Sequence, residues 1–468
     1  NFRILKNDKN NEIIDALMNG SFEFNNIKDM KTNLKLDLTL NSLNPELLLE
    51  DIIPKSYNLN FEDGAFEDLS LKGNIIINND NLNFTYKDFE IEGVLNNLKV
   101  SSKNKKNFVE TIMKLKFLAN LENNTIKDLK AKAFLSDFIF FRDGMSKELV
   151  FHKSKFDLFF EDNKVKILNF KTNSYVNSFF EGEVLLNLSE KKKISEIDIN
   201  LKIDKFNYTW LTSIWPNDFG IKTRNWIKTN VNSGFGENCN LDLVLNFDEN
   251  KIIKTLFLDW KHRNSKIKFY KKLPYVDLPE ANVNITKDKM TVSFFDSEIG
   301  KINIDKGELN IFPIFNKKAK VKVNLTGKSE LNSVLNFLNE KDLDLLSKYK
   351  IGPSSTGNIS YNSNFEWPIK ENIKRNEFKW IVDASGENLN ISSLPLSLTH
   401  EISKFQIKAN NNKFRFSSIG KINNIQSKLS IAKDNQTNPE IKIDFDDSEE
   451  MAILISKFSQ IKLYGKAK

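Results

Sequence analysis

The sequence predicts a mostly β protein: an elongated, strongly curved, open β-sheet groove with a few short helices. Three observations predict this fold class. Apolar residues recur at every second position along the whole chain, glycine and proline are scarce at 17 and 10 of 468 residues, and phenylalanine is abundant at 38. Successive side chains of a strand point to opposite faces of a sheet, so each such segment has one apolar and one mostly polar face.

Five segments show this alternation most clearly, and their apolar residues are the candidates for the lining of the groove. The candidates are Leu34, Leu36, Leu38, Leu40, Ile197, Ile199, Leu201, Ile203, Leu241, Leu243, Leu245, Phe247, Val321, Val323, Leu325, Ile441, Ile443 and Phe445. The pattern alone leaves open which face of each strand lines the groove.

Asparagine and aspartate, rather than proline and glycine, separate the alternating segments. Residues 161–163 and 410–412 are examples. Both residue types tolerate the left-handed backbone conformation, so these positions predict hairpin turns. A near-repeat, Ser297–Asn303 against Ser417–Asn423, predicts two related strand pairs.

Four segments have helical features. Asn44-Pro45 is a helix start, with Pro54 as the stop, and a second helix is expected from Thr223 to Val231. Apolar residues three and four positions apart predict amphipathic helices within 331–346 and 451–458. We interpret these helices mainly as covers for sheet faces and edges.

Three architectures could hold so many one-sided strands. A set of compact sandwiches would need turn-rich linkers, which the sequence lacks, and a closed barrel is limited in size. One long open sheet fits best, and its apolar face would need a second layer or an apolar ligand. Phenylalanine supplies apolar area without a polar group, which suits either occupant of that face.

Composition argues against several function classes. The 69 basic and 62 acidic residues give a net charge of +7, too small for this length to imply a nucleic-acid partner. A single cysteine, Cys239, and three separated histidines predict no metal site, and we expect no cofactor. No nucleophile-elbow, zinc-protease or phosphate-loop motif occurs, so an enzyme is not expected.

No segment approaches the ~20 apolar residues that a membrane-spanning helix needs. The chain begins Asn1-Phe2-Arg3-Ile4, without an initiator methionine or a signal-peptide pattern. We therefore expect it to be part of a longer protein in which a targeting or anchoring segment precedes these residues.

A motif near the middle of the chain resembles a signature of the AsmA-like family, nearest its YhdP-type branch. A Trp215-Pro216 pair is followed by Arg224 and Trp226 on a short helix, then by Gly234 and a strand. Later features follow in the expected order and extend the resemblance over residues 200–370. They are Leu273-Pro274, Gly300, Gly307, the helical segment 331–346, Gly352-Pro353 and Gly357.

The resemblance implies a periplasmic protein that holds or conducts phospholipids along a hydrophobic groove between the inner and outer membranes. It implies tethering to the inner membrane by an N-terminal helix missing here, and an outer-membrane or periplasmic protein partner. Residues 1–205 would form the N-terminal part of the groove. Residues 206–468 would form the family-like region, with a tryptophan-containing helix near 221–231 and an amphipathic helix near 330–350.

Two other functions stay open. The chain could be a structural or adhesive envelope protein whose interior is filled by its own side chains. A glycan-processing enzyme would need two carboxylates facing each other across a cleft, which a sequence cannot reveal. The tryptophan motif also has a structural interpretation, in which Trp215 and Trp226 dock a short helix on the sheet edge.

Overall fold

The computed structural model of the chain is mostly β-strand among the residues that it describes, as the alternation predicts. It describes residues 2–4, 16–28, 31–41, 59–78, 83–102, 107–122, 125–174, 178–189, 193–215, 221–247, 253–268, 274–314, 318–338, 355–369, 374, 376–394, 398–422, 424–434 and 440–445.

The chain forms two units, residues 1–229 with 236–260 and residues 230–235 with 261–468. The predicted division at residues 205 and 206 follows the family resemblance rather than packing, and it stays a prediction. Strands β1 to β12 lie essentially in the first unit, and β13 begins there and continues into the second. These strands are β1 Phe2–Ile4, β2 Ala16–Lys28, β3 Lys31–Asn41, β4 Leu59–Asn78, β5 Asn83–Ser102, β6 Asn107–Glu122, β7 Thr125–Arg142, β8 Leu149–Glu161, β9 Lys164–Ser174, β10 Phe179–Leu188, β11 Ile194–Asn207, β12 Phe235–Asn246 and β13 Ile253–Ile267.

The remaining strands belong to the second unit. They are β14 Val276–Thr286, β15 Met290–Ile299, β16 Ile302–Phe312, β17 Lys320–Glu330, β18 Thr356–Pro368, β19 Lys379–Leu394, β20 Leu398–Asn410, β21 Lys413–Ile422, β22 Ile425–Asp434 and β23 Glu440–Phe445.

Strands that follow one another in the chain pair antiparallel. This holds from β1 to β11 in the first unit and from β14 to β23 in the second. Among the described strands, no pairing joins the first strand of either series to its last, so neither closes into a barrel. Register shifts mark β-bulges, which bend a strand, and four occur between β4 and β5 alone. The predicted open, curved, mostly β fold is confirmed.

The predicted asparagine and aspartate turns are confirmed where they are described. Asp162 and Asn163, with φ of 48° and 59°, connect β8 to β9. Asn410 Oδ1 accepts hydrogen bonds from the backbone N–H groups of Asn412 and Lys413, both at 2.9 Å, between β20 and β21.

The two copies of the near-repeat lie in two antiparallel strand pairs, β15 with β16 and β21 with β22, but at different positions relative to the turn. The first copy spans the end of β15, a turn at Gly300 and Lys301 with φ of 53° and 69°, and the start of β16. In the second copy Gly420 lies inside β21, paired with Ile402 on one side and Ser427 on the other. Pairing with neighbouring strands therefore decides between turn and strand for nearly the same sequence.

Three helices interrupt the strands of the described part of the chain: α1 Tyr208–Ile214, α2 Ile221–Asn230 and α3 Leu331–Leu338. Helix α2 confirms the helix predicted over 223–231. Helix α3 confirms the start of the predicted segment 331–346, whose remainder lies outside the described residues. The helices predicted within 44–54 and 451–458 also lie outside them.

In the second unit the buried core lies on one face of the sheet. One cluster includes Leu278, Phe294 and Ile304, each at most 2% exposed. A second cluster packs Leu331 and Leu335 of α3 on four residues of the sheet. These four are Ile359, Leu389, Ile402 and Phe405.

Candidate functional site: the apolar sheet face

In the first unit, strand register places apolar residues opposite one another in continuous rows. One row crosses nine strands, from β3 to β11. Its members are Leu38, Leu71, Ile91, Ala119, Leu129, Phe160, Val165, Leu186 and Ile197. The alternation within each strand is therefore aligned between strands, which produces one continuous apolar face.

Val184 of β10 illustrates how the two faces of this sheet differ. It pairs with Ile167 and Ile199, and all three side chains are half-buried. The next residue, Leu185, points to the opposite face. There it pairs with Lys166 and Asp198, so a similar aliphatic side chain lies among charged groups.

The four predicted residues of β11 all lie on the apolar face of the first unit and are half-buried. Ile197, Ile199, Leu201 and Ile203 are opposite Leu186, Val184, Gly182 and Phe180 of β10, respectively. The four predicted residues of β3 alternate at register positions opposite apolar residues or glycines of β2 and β4. They are Leu34, Leu36, Leu38 and Leu40.

In β12, a side-chain hydrogen bond identifies the two faces. Asn200 Nδ2 donates to Asp242 Oδ1 at 2.5 Å, which places Asp242 on the polar face. Leu241, Leu243 and Leu245 therefore point to the apolar face, and all three are half-buried. Phe247 lies just beyond the end of β12 and is 47% exposed.

The second unit has an equivalent apolar row across six strands. Its members are Val283, Val292, Leu309, Val323, Phe365 and Trp380. The predicted Val321 is 7% exposed, and Val323 and Leu325 are half-buried. Leu325 lies opposite Gly307, where the ring of Phe294 takes the space of a side chain: a Cβ on Gly307 would lie 2.0 Å from that ring.

The predicted residues of β23 also occupy one face at their register positions. Ile441, Ile443 and Phe445 lie opposite Ile431, Leu429 and Ser427 of β22. Ile443 is half-buried.

Sequence reasoning missed an aromatic cluster where α1 meets the apolar face. The ring of Trp210 lies 6.0 Å from Phe180, which lies 5.1 Å from Phe151. The start of α1 is fixed by Asn207, whose Oδ1 accepts from the Trp210 N–H at 2.6 Å. The only sequence signal for this cluster was the high phenylalanine content, which does not identify positions.

The hairpin between β7 and β8 contacts the other end of α1. The Ser213 carbonyl accepts hydrogen bonds from the backbone N–H groups of Ser146 and Lys147 at 2.9 and 3.2 Å. Met145, in the same hairpin, is buried at 7% exposure. Helix α1 is therefore held to the sheet at both ends.

The arginine of the family-like motif connects its helix, α2, to α1. Arg224 of α2 is 6% exposed, and its Nε donates to the Thr212 carbonyl of α1 at 3.0 Å. Trp215, at the C-cap of α1, is half-buried, whereas Trp226 is 39% exposed. Arg224 thus joins α1 to α2. Pro216 lies outside the described residues.

The local backbone explains why position 234 is a glycine. Its φ is 105°, a conformation that side chains rarely adopt, and a Cβ there would lie 1.7 Å from Ser265 Oγ. The flanking backbone hydrogen bonds, Asn232 N–H to the Lys266 carbonyl and Lys268 N–H to the Asn230 carbonyl, are both 2.9 Å. The chain therefore follows β13 closely at this point.

Burial suppresses the ionisation of three side chains, which lie in β12, α1 and β13. It raises the pKa of the Cys239 thiol to about 12, so the thiol stays neutral at neutral pH and is a poor nucleophile. Burial also raises the pKa of Tyr208, whose hydroxyl accepts from Trp260 Nε1 at 3.0 Å. It lowers the pKa of His262 to about 4.

No described residues form a group of three or more His, Cys, Asp or Glu side chains arranged to hold a metal ion. Among the described helices, none combines the length and apolarity that crossing a membrane would require.

The fold and the apolar face define a class of protein: an open antiparallel β-sheet protein with one apolar and one polar face. No protein-family model matches the chain, and no curated protein matches it either.

Proposed function

We propose that the chain holds or conducts phospholipids, with their acyl chains lying along the apolar sheet face and their head groups in water. The observation that carries the proposal is the aligned row of apolar side chains that remain half-buried around Val184, Ile167 and Ile199. Under this proposal the chain is a binding protein without a cofactor or catalytic site, and it has no nucleic-acid partner.

Physical chemistry supports an extended apolar occupant for such a face. Burying one CH₂ group contributes about 0.8 kcal/mol, so an acyl chain gains from every position that it covers. A row of similar aliphatic residues has no single dominant contact. An acyl chain can therefore move along it through a series of comparable positions.

The wider setting belongs to the same proposal and rests on the resemblance of residues 200–370 to the AsmA-like family. The chain would be a periplasmic part of an envelope protein that is tethered to the inner membrane. An outer-membrane or periplasmic protein would then receive or supply the phospholipid.

A second candidate function is a structural envelope protein whose interior is filled by its own side chains. The cluster beneath α3 favours it locally, because Leu389 and Ile402 are only 3% and 2% exposed there. The side chains of the row around Val184 are only half-buried. The two candidates therefore differ in whether that row binds lipid.

Paired substitutions in β10 test the proposal. Val184→Asp places a carboxylate on the apolar face, and Leu185→Asp places one on the polar face one residue away. Both proteins are purified from cells with a two-membrane envelope, and bound phospholipid is quantified by extraction and mass spectrometry. We expect phospholipid with the wild-type protein and with Leu185→Asp, and a several-fold loss with Val184→Asp.

Circular dichroism and thermal unfolding of both variants check that they are folded. If Val184→Asp unfolds, Ile199→Asn provides a milder change on the same face. Folded wild-type protein without phospholipid, or equal phospholipid content in both variants, contradicts the proposal and favours the structural alternative.

A further inference from the structure

The polar face of β6 to β9 has a row of basic residues around one exposed aromatic ring. Strand register places Lys114, Phe134, Lys155 and Lys171 directly opposite one another in that order. Phe134 is 52% exposed, and all three lysines are exposed. Ile112, on the same face of β6 two residues before Lys114, is a second exposed apolar residue at 44%.

A second row adjoins the first and adds two more lysines. Lys116 lies opposite Lys132, and Lys132 lies opposite Asp157. Two direct cross-strand pairs, Lys116 with Lys132 and Lys155 with Lys171, therefore join like charges. Such pairs destabilise a sheet, so this arrangement has no explanation in folding stability.

Few acidic groups offset these charges. Asp157 accepts a hydrogen bond from Asn169 Nδ2 at 2.8 Å, and Glu181 lies 3.8 Å from Lys171 Nζ. Within the described part of the chain, Lys114, Lys116, Lys132 and Lys155 have no carboxylate within 4.0 Å. A shallow pocket of about 360 Å³ opens among Lys132, Phe134, Lys155 and Lys171.

We propose that this basic face, defined by Lys114, Lys116, Lys132, Lys155 and Lys171 around Phe134, docks on an anionic phospholipid membrane surface. The lysines would contact head-group phosphates while Phe134 and Ile112 enter the interfacial layer. This site is on the face opposite the apolar rows and does not depend on the proposed function.

The combination of side chains favours a bilayer over other anionic partners. Each lysine near an anionic membrane adds to the electrostatic attraction between protein and lipid. The long lysine side chains let their charged ends stay at the head groups while the Phe134 ring enters the interfacial layer. Nucleic acid would call for several exposed aromatics on which bases can stack. Phe134 is 52% exposed, whereas Phe159, on the same face between Lys130 and Lys166, is half-buried. An acidic protein segment would use the lysines but leave the exposed Phe134 and Ile112 without an apolar partner.

Vesicle flotation tests the proposal with the whole chain. Vesicles of phosphatidylcholine with 30 mol% phosphatidylglycerol are compared with vesicles of phosphatidylcholine alone at ~0.1 M salt, where surface charges act over about 10 Å. We expect binding to the anionic vesicles only, and its loss at about 1 M salt. The double variant Lys132→Gln/Lys155→Gln should reduce that binding roughly tenfold or more, and Phe134→Ser should reduce it also.

Matched controls separate this site from net charge and from the apolar face. Lys322→Gln/Lys328→Gln removes two exposed lysines from the polar face of β17 and should bind like wild type. Val184→Asp, which alters the apolar face, should also keep vesicle binding. The thermal midpoint of Lys132→Gln/Lys155→Gln should not fall, because the substitution removes like-charge repulsion.

Three outcomes overturn the proposal: equal binding to neutral and anionic vesicles, equal losses in the two double variants, or no vesicle binding by the wild-type chain. The last outcome, together with retention on an immobilised acidic peptide, would assign the basic face to an acidic protein instead. None of these outcomes bears on phospholipid that co-purifies with the apolar face.

Discussion

His262 is a buried residue whose ionisation should make the folded chain sensitive to acid. Its side chain is 3% exposed, and burial lowers its pKa from 6.5 to about 4. The unfolded chain therefore takes up this proton at a higher pH than the folded chain does. Stability from the neutral imidazole is fully present above pH ~6.5 and is lost as the pH falls toward 4.

We predict that His262→Gln weakens this acid sensitivity. The effect is at most about 3 kcal/mol, because one pKa unit corresponds to about 1.4 kcal/mol. Urea unfolding of both proteins at several pH values between 7 and 4 measures it. The difference in unfolding free energy between wild type and variant should shrink or reverse toward pH 4, and a constant difference contradicts the interpretation.

The surroundings of single residues were the part that the sequence predicted least well. The motif suggested that Trp215 and Trp226 dock the helix, yet Arg224 is the buried residue that joins α2 to α1, and Trp226 is 39% exposed. Charged residues are rarely buried. The residues that flank Arg224 in the sequence do not identify it as an internal one. Its Nε donates to the Thr212 carbonyl of α1, a contact between two helices that the local sequence does not reveal.

At the scale of elements, α3 is the clearest case of a helix that covers a sheet. Leu335 is 8% exposed and packs on Ile359, Leu389 and Ile402, whereas the next residue, Asn336, is exposed. We predict that Leu335→Ala lowers the unfolding free energy of this region by about 2–5 kcal/mol, since it leaves a cavity in a packed cluster.

The matched control for this helix is Asn336→Ala, which should change stability by less than about 0.5 kcal/mol. Denaturant unfolding combined with hydrogen exchange of β18 to β20 locates the effect. If both substitutions had the same small effect, α3 would not be a stabilising cover of the second unit.

Strands and turns were predictable because their signals are local. Alternation fixes which residues share a face, and all five strongly alternating segments fall in strands: β3, β11, β12, β17 and β23. The near-repeat shows the limit of such signals. Gly300 lies in a turn and Gly420 in a strand, because the partners of β21 continue alongside it whereas β15 ends.

For the whole molecule, the sequence predicted the open, mostly β class but not the alignment of apolar residues between strands. The row from Leu38 to Ile197 depends on the register of eight successive pairings and on bulges within them. A single extra residue is enough to form a bulge, so bulges have weak sequence signals. The aromatic cluster at α1 joins residues far apart in sequence, so composition alone could not locate it.

Site-specific photo-crosslinking can detect whether the apolar face binds phospholipid in the cell. A benzophenone amino acid is placed at Ile199 on the apolar face or at Leu185 on the polar face, and cells with a two-membrane envelope are irradiated. Mass spectrometry of the purified chain should find phospholipid adducts at residue 199 and several-fold fewer at residue 185. Adducts at neither position, or equally at both, would contradict phospholipid binding by this face.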